Sequence, residues 1–355
     1  MSEPSALVLS DDLLRMKSTA IPVWPCAYGR PPGRGVIRAA AEDFRVDECL
    51  AFEPSGTGEH VFLNIEKTGE NTEYVARQLA RFAGVRQRDV GYAGLKDRHA
   101  VTTQWFSVWL PGKPDPDWTA FASDSVKILQ SLRHARKLQR GALAGNRFKL
   151  VIREWRGDKQ ATHDRLQAIR TGGIANYFGP QRFGHEGQNL AQALALFRGA
   201  KAGREQRSLY LSAARSFLFN QILARRIEQK NWNRALAGDV FFFDWSHSRF
   251  HAEKPDPDII ARIDAGNLHP SGALWGRGDV QVSLDALATE QALIEAHAEI
   301  AEGLVRSGVE ADRRPLRVNV RELRWEFIGE TALELSFGLP AGSYATALLS
   351  EIIGL

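Results

Sequence analysis

The chain of 355 residues contains two cysteines, Cys26 and Cys49. Two thiols exclude a disulfide framework and any metal site built on four thiolates. No Cys-x-x-Cys pair occurs, so the zinc-deaminase signature is missing. No run of about 18 apolar residues occurs, which leaves no candidate for a membrane-spanning helix. The start, Met1-Ser2-Glu3 followed by Asp11 and Asp12, lacks the basic and apolar regions of a secretory signal. With sparse cysteine, this predicts a cytoplasmic protein. The segment from Gly29 to Gly35 has spaced glycines, but Pro31 and Pro32 interrupt it. It matches neither the Walker pattern nor the dinucleotide fingerprint and reads as a turn-rich lead-in. No Gly-x-Ser-x-Gly elbow is present. Phosphate-loop, dinucleotide and elbow-serine chemistry therefore find no support.

What is present is an ordinary globular balance, with 44% hydrophobic and 25% charged residues. The length favours two domains over one. The net charge is +4 and the pI about 9.1. That excess is mild, but it is clustered. From Lys127 to Arg156 the basic residues include Arg133, Arg136, Lys137, Arg140 and Arg147, and the only acid is Glu154. Such a block suits a polyanion. It equally suits a solvated helix and strand face.

The first thirty or so residues read as a partly extended arm. Alternation of Phe44, Val46 and Glu48 predicts a strand, as does the run from His60 to Ile65. Asn71 and Thr72 stand where a cap is needed for a helix reaching Ala80. Alternating strands are expected from Trp105 to Leu110 and from Phe148 to Arg153. From Thr171 the texture changes. Leu211, Ala214, Leu218, Phe219, Ile222 and Leu223 fall at helical spacing between Ser208 and Gln229. A loop is expected at Ala252 to Asp258, and a second helix from Glu290 to Glu299. After Arg314 and Pro315 a strand returns through Leu333, Leu335 and Phe337, and Ser343 is placed to cap a short terminal helix. So short a tail cannot form its own core and must pack on something earlier. The middle segment therefore interrupts a discontinuous domain.

Three groups of residues carry candidate chemistry. In Gly94-Leu95-Lys96-Asp97-Arg98-His99 an acid sits between two cations, which favours an ionised carboxylate suited to nucleophilic attack. A surface salt-bridge cluster has the same local pattern. Asn146 offers a donor and an acceptor to the edge of a nucleobase, and Phe148 a ring to stack on it. A glycine turn into a core strand would look the same. In the run from Asn176 to Gly184, three aromatics interleave with Gln181 and Arg182, a composition suited to RNA contact or to an aromatic-pinned hinge. His247 and His251 have metal-ligand spacing, but nothing nearby completes a site, so no metal is expected. His99 joins Asp97 in an acid–base dyad only if a turn brings them together.

Together these motifs resemble the TruD family of tRNA pseudouridine synthases. The resemblance runs through Arg38, Glu42-Asp43-Phe44, Gly58-Glu59-His60, Lys67-Thr68-Gly69 with Asn71-Thr72, and Gly91 to Arg98 with Ala100, Thr102 and Gln104. It continues through Gly145-Asn146 with Phe148, Asn176 to Gly184, Leu209 to Ala213 and Leu339 to Thr346. This ordered set spans nearly all of the chain after the arm. It implies an α+β protein of the pseudouridine-synthase fold, a mixed and largely antiparallel sheet with flanking helices. It also implies an inserted α/β TRUD domain. The boundaries drawn are 1–170 plus 318–355 for the catalytic domain and 171–317 for the insert.

By the same resemblance, Asp97 matches the catalytic aspartate, and the target is uridine 13 of tRNA. Phe44, Asn146, Phe148 and Tyr344 match substrate-site positions, with Tyr344 where relatives often have Phe. Arg38 falls where relatives often carry Lys, which is not an equivalent donor. Arg38 or Lys96 is expected to keep Asp97 ionised. Arg133, Arg136, Lys137, Arg140 and Arg182 are expected to meet tRNA phosphates. The partner is tRNA, with no cofactor, metal or membrane, and the chain is expected to be monomeric. A catalytically silent RNA-binding or chaperone protein on the same fold is the main alternative. A methyltransferase would need a cofactor loop that the sequence lacks.

Overall fold

The computed structural model describes residues 21–354. Residues 1–20 of the expected arm lie outside the described residues. The chain divides into two compact units. One comprises Arg30–Gly173, Asn319–Ala345 and the chain from Leu349 on. The other comprises residues 21–29, Ile174–Val318 and Thr346–Leu348.

The first unit opens with β1 (Gly33–Ile37), β2 (Phe44–Leu50), β3 (His60–Thr68), α1 (Thr72–Phe82), β4 (Val90–Tyr92), β5 (Val101–Trp109), β6 (Val126–His134), β7 (Leu143–Gly157) and α2 (Lys159–Gly172). The second unit contributes β8 (Ile174–Ala175), α3 (Gln188–Phe197), α4 (Arg204–Glu228), β9 (Asp239–Phe243), β10 (Arg249–Ala252), α5 (Pro257–Asp264), β11 (Leu268–Leu274), α6 (Leu284–Ala296), α7 (Ala298–Arg306), β12 (Asp312–Pro315) and β13 (Arg317–Val318). The chain closes with β14 (Arg321–Ile328), β15 (Ala332–Pro340) and α8 (Ala345–Ile353).

The large sheet of the first unit has the order β14-β15-β7-β2-β5-β3-β6, with β1 on β7 and β4 on β5. Its β2–β5 pairing is parallel, and its other strand pairings are antiparallel. This is the mixed, largely antiparallel α+β architecture expected from the sequence. The tail strands find their place here, because β15 pairs along β7 from Leu333–Ile152 to Pro340–Gly145. Helix α1 buries Val75, Ala76, Leu79 and Ala80, a stripe at helical spacing, in one core with Val61, Leu63 and Ile65 of β3.

The predicted alternation of β2 is present, with Phe44, Val46 and Glu48 buried and Asp47 exposed. That of β5 is not: eight successive residues, Val101 to Val108, are buried. A central strand covered on both faces loses its period-two signature. Gly33 to Gly35 of the expected turn-rich segment belong to β1.

In the second unit, β10-β9-β11-β12 form a four-stranded sheet whose pairings are all antiparallel. The helix expected at 208–229 is α4, with thirteen buried residues from Ala213 to Ile227. Described residues before Gly29 join this unit rather than the sheet that follows them. Trp24 stacks on Tyr177 at 5.8 Å, and Tyr28 meets Trp232 edge-on at 6.0 Å. The drawn boundary at residue 1 is therefore corrected for residues 21–29.

Three local readings also shift. The helix expected from Glu290 to Glu299 is two helices that meet at His297, where φ is −119° and ψ is 37°. The loop expected at Ala252 to Asp258 is shorter. The Asp256 side chain accepts the Ile259 N–H at 2.8 Å and starts α5 within it. The N-cap of α8 is Tyr344, one residue beyond Ser343. Among the described residues, no helix is long and apolar enough to cross a membrane.

Candidate active site

The site is built on one face of the first unit's sheet. Register places Val46 opposite Phe148 and Glu48 opposite Asn146, with Phe337 and Leu339 next in the same rows. The face is apolar at one end and polar at the other. Phe44 and Phe148 are buried and meet edge-on at 6.4 Å, and Phe148 stacks on Phe337 at 5.2 Å. At the polar end, Glu48 and Lys96 form a buried ion pair at 2.8 Å. Lys96 Nζ also donates to Asn146 Oδ1 at 2.9 Å.

Asp97 lies in the loop between β4 and β5. This loop is fixed by buried polar groups rather than by regular structure. Thr72, at the start of α1, accepts the Lys96 N–H at 3.0 Å and donates to Gln104 Oε1 at 2.9 Å. Gln104 returns its amide to Gly94 O at 2.6 Å. Lys67 Nζ donates to Glu70 O at 2.7 Å and to Asp97 O at 3.5 Å. Buried hydrogen-bonded networks of this kind favour one backbone conformation. Burial pushes the Lys67 ammonium down to about 8, against the pull of Asp97.

Each Asp97 carboxylate oxygen has its own partner. Oδ2 pairs with Arg38 Nη2 at 2.6 Å, and Oδ1 accepts the His99 N–H at 3.0 Å. The turn needed to bring residues 97 and 99 together exists, but it is the His99 backbone that makes the contact. The Arg38 guanidinium lies 4.2 Å over the Phe44 ring, and the Arg38 backbone has φ +58°. Left-handed backbone on a non-glycine residue is costly and recurs at functional sites.

Of the sequence-predicted site residues, Asp97, Arg38, Phe44, Asn146 and Phe148 are carried on this face and its bordering loops. Lys96 is beside them in another role. Of the two cations expected to keep Asp97 ionised, Arg38 makes the contact, while Lys96 turns inward to Glu48. The other flanking cation, Arg98, donates to Gly69 O at 3.0 Å instead. Tyr344 is half-buried at the N-cap of α8.

The basic block divides. Arg136 and Arg140 are exposed. Lys137 and Arg140 line a cleft with Arg88 and Tyr92, where Arg140 Nη2 donates to the Tyr92 hydroxyl at 3.1 Å. Arg133 pairs with Asp115 and donates to the carbonyls of Gly58, Leu110 and Lys113. A guanidinium so engaged is a staple of its own unit. In the second unit, Arg182 donates to Ser212 Oγ at 3.0 Å and lies 5.3 Å over Phe178. Tyr177, Phe178 and Phe183 are buried, and Asn220 clasps the Phe178 backbone through both N–H and C=O. That run is an aromatic pin in its own core.

Sequence reasoning placed Thr72 at a helix start and Lys67, Thr72 and Gln104 within family motifs, but gave none of them, nor Glu48, a part in the site. One signal was available: Glu48 stands on the apolar face set by Phe44 and Val46, and a buried carboxylate demands a partner. Among the described residues, no group of three or more His, Cys, Asp or Glu gathers to hold a metal.

A family model described as tRNA pseudouridine synthase D (TruD) matches residues 26–193 and 187–352. A tRNA pseudouridine synthase D from Methylococcus capsulatus is 55% identical over 331 residues, covering 93% of this chain and 94% of the relative. One from Nitrosococcus oceani is 49% identical over 333 residues, covering 92% and 93%. A crystal structure from Methanosarcina mazei, described as a TruD protein, superposes with a TM-score of 0.69 at 21% identity, over 95% of this chain and 97% of that one. That structure supports the fold. The sequence matches, spanning nearly all of the chain and the Asp97 loop within it, show that the chain belongs to the tRNA pseudouridine synthase D (TruD) family.

Proposed function

We propose that this protein is a tRNA pseudouridine synthase that converts uridine 13 of tRNA to pseudouridine, with Asp97 as nucleophile. The observation that carries this reading is the placement of Asp97. Its carboxylate has one oxygen on a backbone N–H and the other on Arg38, the guanidinium that covers the Phe44 ring of the Phe44–Phe148 pair.

The reaction breaks the N1–C1′ bond, turns the uracil and forms a C5–C1′ bond. C5 gives up its proton and N1 gains one. Atoms and electrons balance within the nucleoside, so the chemistry needs no redox partner and no imported group. The uridine must first leave its stack, which costs a few kcal/mol. Asp97 then engages C1′ as the base departs. The Arg38 guanidinium, resting on Phe44, holds the carboxylate oriented before the substrate arrives.

Asn146 supplies the polar contact to the freed base. Its Oδ1 is taken by Lys96, which orients the side chain and leaves the Nδ2 hydrogens for a uracil carbonyl. Phe44 and Phe148 wall the base, with Tyr344 as a further ring. Arg136, Lys137 and Arg140 meet phosphates. The catalytic domain in this reading comprises 1–170 and 318–355, and the insert 171–317, save that residues 21–29 go with the insert.

The experiment is incubation with unmodified tRNA bearing a uridine at position 13, without added cofactor, followed by carbodiimide primer extension. Asp97→Asn is run in parallel. A new stop at position 13 with the unaltered protein alone is expected. A stop elsewhere keeps the chemistry and overturns the target. Pseudouridine from Asp97→Asn removes the nucleophile assignment. Tight, salt-sensitive binding without product in either protein would make this an RNA-binding protein on an enzyme fold.

A further inference from the structure

Away from Asp97, strand β1 meets β7 in an irregular register. Val36 faces Arg153, yet Arg34 faces Arg156, so two residues of β7, Glu154 and Trp155, oppose Gly35 alone. This is a β-bulge, and Glu154 takes left-handed backbone, φ +49°, to make it. A continuous ladder would put Trp155 across from Arg34. The bulge instead turns Trp155 into the core and sets two arginines directly opposite each other.

Like charges in that position repel. Neither Arg34 nor Arg156 has an ion pair among the described residues, and both are exposed. A third arginine, Arg30, lines the same cleft of about 520 Å³, together with Pro32, Gly33 and Gly157. Two acids lie two residues from Arg156: Glu154 makes no ion pair among the described residues, and the Asp158 carboxylate accepts the Ala161 N–H at 3.0 Å and caps α2. Behind Gly33 lies the indole N–H of Trp155, buried and without an acceptor. A Cβ on Gly33 would come within 2.8 Å of that nitrogen. A costly bulge has thus gathered unopposed cations, where a regular ladder would have paired Arg34 with an aromatic. Bulges re-aim side chains in this way beside functional sites.

We propose that Arg34, Arg156 and Arg30 form a phosphate-binding cleft that holds the RNA backbone, separate from the Asp97 site. This assignment rests on the reading of the protein as an enzyme of tRNA. The guanidiniums match phosphate oxygens in a planar, bidentate manner. Phosphate contacts position an RNA without reading its sequence. The cleft therefore sets affinity and register of the tRNA, while the chemical step belongs to the Asp97 face.

The test uses the full chain with Arg34→Ala, Arg156→Ala and the double variant. Affinity for unmodified tRNA is measured across a salt series, alongside single-turnover rates at saturating tRNA. The double variant is expected to bind on the order of tenfold more weakly, with the log–log salt slope reduced by roughly 1.5. The rate at saturation stays that of the unaltered protein, and KM rises. Inorganic phosphate at constant ionic strength should raise the melting temperature of the unaltered protein and not of the double variant. Unchanged tRNA affinity and slope would overturn the proposal. Unchanged affinity with a lowered melting temperature would show the arginines paired within the chain. Phosphate stabilisation without any effect on tRNA would mark a free-phosphate site and remove the RNA assignment. Should the protein make no pseudouridine, a binding defect in the double variant would still uphold the cleft, because binding is read independently of turnover.

Discussion

The Arg38 guanidinium serves two partners at once: its Nη2 lies 2.6 Å from Asp97 Oδ2, while its central carbon lies 4.2 Å from the centre of the Phe44 ring. A flat cation can do both, and a lysine ammonium cannot. Arg38→Lys is therefore expected to keep the charge but lose the fixed orientation. Single-turnover rates at saturating tRNA should fall roughly tenfold, about 1.4 kcal/mol, and further for Arg38→Ala. A full rate in Arg38→Ala would show that Asp97 needs no orienting cation.

Lys67 gives the site a titration near neutrality. It is fully buried, and burial brings it down to about 8 while the Asp97 charge resists. Below pH 8 its ammonium ties the Asp97 carbonyl to that of Glu70, and above it that charge is lost. The rate is expected to fall as pH rises through about 8, with one proton released. Lys67→Met should be slower and flat across the same range. Stability moves the other way. The unfolded chain holds this proton up to the ordinary value of 10.5, so between about 8 and 10.5 the Lys67 contribution to folding stability rises with pH. A pH–rate profile and urea melts at pH 7.5 and 9.5 separate the two effects.

The pair of Glu48 and Lys96 is buried on both sides, with side chains 0% and 8% exposed. Removing one partner strands the other charge. Lys96→Met is expected to cost about 3–5 kcal/mol in urea unfolding. The double variant Glu48→Leu with Lys96→Met should recover much of that loss, since neither charge remains buried. It should not recover activity, because Asn146 has lost its anchor. Additive losses would mean that the two groups do not depend on each other.

Asn146 tests the donor role directly. Asn146→Asp keeps the shape and the acceptor for Lys96 but removes the Nδ2 hydrogens. The rate at saturation is expected to drop by at least about tenfold, with the melting temperature nearly unchanged. An undiminished rate would assign Asn146 to orienting Lys96 alone.

Much of this protein could be read from its residues alone. Periodicity located α4 and β2, and the short apolar tail from Leu333 required a partner earlier in the chain, found in β7. The ordered motifs located the Asp97 loop and the family. These features are local in sequence or depend on burial needs that every fold must meet. What the residues could not show was which charge meets which. Lys96 and Arg98 adjoin Asp97 in the chain, yet Arg38, 59 positions earlier, takes its carboxylate, because the loop turns its neighbours toward Glu48 and Gly69. Likewise, the basic run from Lys127 to Arg156 reads as one stripe, but strand geometry turns Arg133 onto carbonyls of its own unit and a bulge turns Arg156 toward Arg34. Charge and periodicity are properties of the chain. The pairing of charges depends on distance and orientation, which only the packed sheet decides.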